Sequence, residues 1–303
     1  MATYEASRGR NCRDARKILK QRITTFFDPR MSAPSGSYSP SGEKPSAVVA
    51  DWLEHHLIEV ASFEPASNAD LELAHCPDYI RDIFAGNIAN GHHNYDLAVA
   101  ESTRWTVGSM AAAAIHAVTN GTTACSPSSG FHHAGYDTNH GFCTFNGLIV
   151  ASRKVLDLPG VESVGILDCD WHPGDGTEQI IERLGLSQQI HHCSSGLLWI
   201  KSVSGYFDWL EDSLQNLLDH EVSVVLYQAG ADAHRDDPLG GLLNDSELLE
   251  RDQFVFTQMR KYQIPVAWNL AGGYQREADG SIEKVLSIHR NTMKVSLQNL
   301  FID

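Results

Sequence analysis

From residue 161 onward the chain alternates short continuous apolar runs with longer segments whose apolar residues recur every three or four positions. The first pattern predicts strands at 161–167, 187–193, 222–228 and 264–271, and the second predicts helices at 175–184, 207–219, 246–262 and 281–290. Strands alternating with helices imply right-handed crossovers and a parallel sheet covered on both faces. Runs such as VSVVLY at 222–227 fit strands buried on both sides. The first half is less regular. It predicts a strand at 23–28, a Ser/Pro/Gly-rich loop at 32–46, a helix at 47–60 and short helical patterns within the polar stretch 71–95. His75, His92 and His93 fall there and read as surface or loop histidines. An alanine-rich helix at 97–118 closes at Asn120-Gly121, and a helix at 148–156 follows a glycine-broken polar cluster. The expected fold is α/β: a single-domain three-layer α/β/α arrangement with a mainly parallel central sheet.

Polar clusters recur just after the predicted strands, at 168–177, 229–238 and 271–276. In a parallel sheet they share one end, the carboxyl ends of the strands, where ligand sites gather. The run DCDWHPGDGT is the densest. If strand geometry persists, Asp168, Asp170 and His172 share a face and suggest a metal site. Pro173, Gly174 and Gly176 stop the strand, and Asp175 and Glu178 favour a helix start. Each cluster alone is weak, since Asp232 and Asp237 fit turns or caps and Gly272-Gly273-Tyr274 fits a turn. Their order at the ends of successive strands is specific.

Composition sets bounds on these readings. At 303 residues and 42% hydrophobic the chain can bury a large core, and it shows no internal repeat. No apolar run is long enough to span a membrane and the amino terminus lacks the apolar core of a secretory signal, so a cytoplasmic protein with no membrane partner is expected. Six cysteines without a CxxC pair fit a reduced compartment. A net charge of −15 argues against nucleic acid and favours cationic partners. Residues 1–22 run against that trend, with seven basic residues to Glu5 and Asp14. They read as a basic arm ahead of a 23–303 catalytic domain, open to use as a solvated face, a homo-oligomer contact or a targeting helix.

Four stretches taken together, GFHHAGYDTNHGFCTFN, DCDWHPGDGT, GADAHRDDPLGG and AGGY, cover about residues 130 to 275. They resemble the zinc-dependent histone deacetylase family, which includes acetylpolyamine amidohydrolases and other bacterial deacetylase-like amidohydrolases. The resemblance implies an arginase/deacetylase-like fold and a zinc-dependent amide hydrolase that removes acetyl or another short acyl group from a lysine side chain or related amine. It makes Asp170, His172 and Asp232 the zinc ligands. His133 becomes the general base, with Asp175 as its partner, and His132 its neighbour, with Asp168 as partner. Tyr274 becomes the donor to the developing oxyanion, and Gly272 and Gly273 let its backbone approach closely. A potassium ion is implied beside the zinc, held by the Asp168 side chain and main-chain carbonyls including those of Asp170 and His172.

By the same resemblance Phe142 is one aromatic wall of a narrow substrate tunnel, with Gly141 lining the slot beside it. Trp199, Tyr206 and Phe207 are candidates for the second wall. Leu239 matches a gatekeeper position that is acidic in polyamine-selective relatives, so an acylated lysine peptide or protein is favoured over a small acylated amine. The chain departs from the family pattern at Pro173, commonly His, and in 32–46, which lacks the usual His-Pro-Glu-type segment. Three rival functions stay open: an acetylpolyamine or other small-molecule amidohydrolase, a non-catalytic acyl-lysine binder, and a two-manganese ureohydrolase of the arginase type.

Overall fold

A computed structural model describes residues 21–197 and 200–300. The elements run β1 (Ile23–Phe26), α1 (Lys44–Glu54), β2 (Ile58–Ala61), α2 (Asn68–Leu71), α3 (Pro77–Phe84), α4 (Leu97–Asn120), β3 (Thr123–Ser126) and α5 (Gly147–Leu156). They continue with β4 (Val164–Asp168), α6 (Asp175–Leu184), β5 (Ile190–Ser194), α7 (Val203–Asp219), β6 (Val225–Gln228), α8 (Asp245–Lys261), β7 (Val266–Asn269) and α9 (Glu283–Gln298). The seven strands form one sheet in the order β2-β1-β3-β7-β6-β4-β5, and every pairing is parallel.

The strands separate two apolar layers by their period of two. On one face Val225 and Tyr227 join Trp52 of α1, Leu210 of α7, Phe256 of α8 and Ile288 of α9. On the other, Val224 and Leu226 join Ala113 of α4, Ile149 of α5 and Ile180 of α6. The expected three-layer α/β/α architecture is therefore present. Helix α6 runs over 175–184, as its pattern predicts, with Asp175 and Glu178 in its first turn and a left-handed Gly185 at its end.

Three local expectations need correction. The predicted helix 47–60 stops at Glu54, because His56 takes a left-handed conformation at φ 56° and the chain turns into β2. Strand β3 lies in a stretch with no predicted element; its four residues, TACS, are too few and too mixed to show a period. His75 is no surface residue but fully buried. Its Nδ1 lies 2.9 Å from the Gly135 carbonyl, and its Nε2 accepts the Asn146 N–H at 2.7 Å.

Candidate active site

Strands β3, β7, β6 and β4 are consecutive in the sheet, so the loops leaving their carboxyl ends meet over one patch. The loop after β3 brings His132, His133, Gly141 and Phe142, and the loop after β7 brings Gly272, Gly273 and Tyr274. The loop after β6 brings Asp232 and Leu239, while the end of β4 and its exit bring Asp168, Asp170, His172 and Asp175.

The shared strand face expected for Asp168, Asp170 and His172 does not form. The strand stops at Asp168, whose Oδ1 accepts the Asp170 N–H at 3.1 Å, and Asp170 Oδ1 accepts the His172 N–H at 2.9 Å. These side-chain turns curl the backbone and aim His172 at Asp232 instead. His172 Nδ1 lies 3.0 Å from Asp170 Oδ1 and 2.9 Å from Asp232 Oδ2. One ligand atom from each of Asp170, His172 and Asp232 lies within 4.8 Å of the others.

Both carboxylates are buried, and Asp232 Oδ1 has no hydrogen-bond partner. Burial and the charge of Asp170 push the Asp232 carboxyl up to about 8. At Asp170 burial is outweighed by His132 and His172, which hold that carboxyl well below the usual range. For His172 burial acts downward, but hydrogen bonds to both carboxylates raise it to about 11. Two buried carboxylates, one imidazole and an orphaned oxygen form a donor set that a divalent cation would satisfy and that a proton satisfies only in part. Gly272 closes this pocket of charge: its N–H donates to Asp170 Oδ2 at 2.8 Å, and a Cβ there would lie 2.4 Å from Asp232 Cγ.

Two His–Asp pairs flank the triad. His132 Nδ1 lies 2.7 Å from Asp168 Oδ2, and His133 Nδ1 lies 2.7 Å from Asp175 Oδ1. For His132 burial acts downward, yet Asp168 and Asp170 raise it to about 9. Burial dominates at His133 and lowers its pKa despite Asp175. The adjacent imidazoles are therefore pushed apart, one toward a charged donor and one toward a neutral base. Gly141 gives the His133 ring its room, since a Cβ there would lie 2.2 Å from His133 Cδ2.

Above the triad, Tyr38, His93, His133, Gly141, Phe142, His172, Leu239 and Tyr274 line a cavity of about 270 Å³. Phe142 forms one wall, 5.7 Å from the Tyr274 ring. Tyr38 meets Phe142 edge-on at 5.5 Å. Of the second-wall candidates, Tyr206 and Phe207 belong to the core beneath the sheet, where Tyr206 is fully buried on α7. Trp199 lies outside the described residues. Burial pushes the Tyr274 hydroxyl far above its ordinary range, and Asp170 and Asp232 push it further, so it stays a hydrogen-bond donor.

The model of the histone deacetylase domain matches residues 42–195, about half of the chain. The chain belongs to the histone deacetylase domain family. This deacetylase is 25% identical over 244 residues to a probable deacetylase of Methanothermobacter thermautotrophicus, covering 70% of this chain and 72% of that one. It is 28% identical over 241 residues to an uncharacterized protein of Picosynechococcus, covering 73% and 80% of the two chains. The crystal structure of an acetylpolyamine aminohydrolase from Burkholderia pseudomallei superposes with a TM-score of 0.70 at 17% identity, covering 90% of this chain and 98% of that one. At that identity the likeness speaks for the fold alone. The chain is thus a hydrolytic deacetylase, and the family is metal-dependent.

Sequence reasoning missed several residues that shape the deacetylase site. Tyr38 and His93 reach the rim from segments without a motif. Asp237, which fits a turn by sequence, accepts the Tyr274 N–H at 2.8 Å and the Leu239 N–H at 3.0 Å. His140 Nε2 lies 3.0 Å from Asp175 Oδ2, so that one carboxylate serves two histidines. A third histidine seven residues after His133 was the available signal. Among the described residues no helix is long and apolar enough to cross a membrane.

Proposed function

We propose that this deacetylase hydrolyses acylated lysine side chains on a peptide or protein, with zinc held by Asp170, His172 and Asp232. The observation that carries the reading is that triad, whose His172 lines the cavity together with His133 and Tyr274. Zinc so held would acidify water and polarise the substrate carbonyl. His133, with its Nδ1–H donated to Asp175, offers Nε2 to take the proton of the attacking water and return it to the leaving amine. His132, donating to Asp168, remains cationic beside it and steadies negative charge. Tyr274 donates its hydroxyl to the carbonyl oxygen as that oxygen gains charge.

The donor set at Asp168 also fits potassium, since carboxylate and carbonyl oxygens suit a hard cation. The Asp170 carbonyl there also accepts the Ser195 hydroxyl at 2.7 Å. The cavity lining contains Leu239 and no carboxylate, which supports an aliphatic acyl-lysine arm over a second amine. In this reading residues 23–303 are the catalytic domain and 1–22 an arm outside it; residues 1–20 lie outside the described residues.

The test is acetate release by the full chain from an acetyl-lysine peptide, run beside acetylpolyamines and arginine, before and after chelation. Chelator-sensitive acetate from the peptide is expected. A metal-loaded chain inert toward every acyl amide, or one releasing urea from arginine, overturns the reading.

A further inference from the structure

His133, His140 and Asp175 form a second cluster in which one ligand atom from each residue lies within 4.8 Å of the others. It stands apart from the triad of Asp170, His172 and Asp232 and shares no residue with it. Asp175 uses one oxygen for each ring, Oδ1 toward His133 and Oδ2 toward His140. The two imidazoles lie 4.5 Å apart at 36°. The side chains of His140 and Asp175 are 47% and 48% exposed, so a cation can enter from solvent and keep water at its remaining positions. Two imidazole nitrogens and one carboxylate suit zinc or cobalt.

The geometry points to a second divalent-cation site at His133, His140 and Asp175, whose occupancy switches the base off. The ion displaces the Nδ1–H···Asp175 hydrogen bond and takes the Nδ1 lone pair of His133, and the proton carried on Nδ1 moves to Nε2. His140 coordinates through Nε2 and keeps its proton on Nδ1. Both rings stay neutral and no proton is lost in sum. His133 then has no free lone pair with which to accept a proton from water. The consequence for activity rests on the reading of His133 as the base; the binding itself does not.

The experiment is a cobalt titration of the metal-depleted full chain, followed by equilibrium dialysis and by the visible absorption of the bound ion. Two equivalents per chain are expected, the second weaker, with acetate release falling as the second fills. In His140→Ala and in His140→Gln, which keeps a hydrogen bond to Asp175 but offers no imidazole, the second equivalent disappears and the first remains. Saturation of the wild-type chain at one equivalent overturns the proposal, as does retention of both equivalents by a folded His140→Gln. Acetate release with a single equivalent bound leaves the deacylase reading standing in either case, so the two readings fail separately.

Discussion

Lys44 Nζ donates to the carbonyl of Ala271 at 2.5 Å and to that of Gly272 at 3.1 Å, joining the start of α1 to the loop that carries Tyr274 across more than 220 residues. The lysine is fully buried, and burial lowers its pKa to about 8, with Asp232 and Asp170 opposing. One partner needs the support: Ala271 is left-handed at φ 52°, a conformation that persists at a residue with a side chain only where surroundings enforce it. Lys44→Met should lower stability by about 2 kcal/mol, the cost of leaving the Ala271 carbonyl without its donor while that of Gly272 keeps the Ala231 N–H, and should lower kcat by loosening Tyr274. Urea denaturation and steady-state kinetics read both. An unchanged kcat in the folded variant would show that the contact supports the fold without positioning Tyr274.

Tyr274→Phe removes one hydroxyl from the cavity wall and leaves the ring contact with Phe142, 5.7 Å away, in place. One preorganised donor contributes about 3 kcal/mol to the barrier, so kcat should fall on the order of 100-fold. Bound metal and melting temperature should stay close to wild type. A variant that keeps its kcat would remove the hydroxyl from the chemistry.

Asp237 holds the backbone of Tyr274 and of Leu239 with its two oxygens. Asp237→Ala leaves both N–H groups without their acceptor at a site only 6% exposed. A loss of about 1–3 kcal/mol in stability is expected, together with a higher KM, since Leu239 lines the cavity. Asp237→Asn, which keeps one acceptor oxygen, should recover part of each. Equal KM in all three proteins would argue that Leu239 needs no such anchor.

His75 predicts a pH dependence of stability. Burial lowers its pKa to about 4, opposed by its backbone hydrogen bonds, against about 6.5 in an unfolded chain. Between those values the unfolded chain binds the additional proton, so folding stability is full above about pH 6.5 and falls as the pH drops toward 4. The loss from this one group is about 3 kcal/mol, and it stops growing below the folded value. Chemical denaturation at pH 7 and pH 4.5 measures it. His75→Phe, though less stable throughout, should show a shallower slope; an identical slope assigns the effect to other groups.

Strand and helix alternation, the parallel sheet and the end of the sheet that carries the site were legible because they follow from local periods of two and of three to four residues. Helix α6 was legible residue by residue, because Asp175 and Glu178 mark its start chemically and its apolar pattern runs to 184. The motif residues after β4, β6 and β7 were legible as a set, since each lies just past a predicted strand, whereas His132 and His133 follow β3, which no period marked. Contacts between segments distant in sequence were not. Tyr38 reaches Phe142, Lys44 reaches Ala271 and Asp237 reaches Tyr274 because β1, β3, β7, β6 and β4 stand side by side and bring their exits together, an adjacency that no local period encodes. The same holds for Asp168 to His172. The sequence alone determined which ligand types are present there, while side-chain turns and the nearness of Asp232 decided where they point.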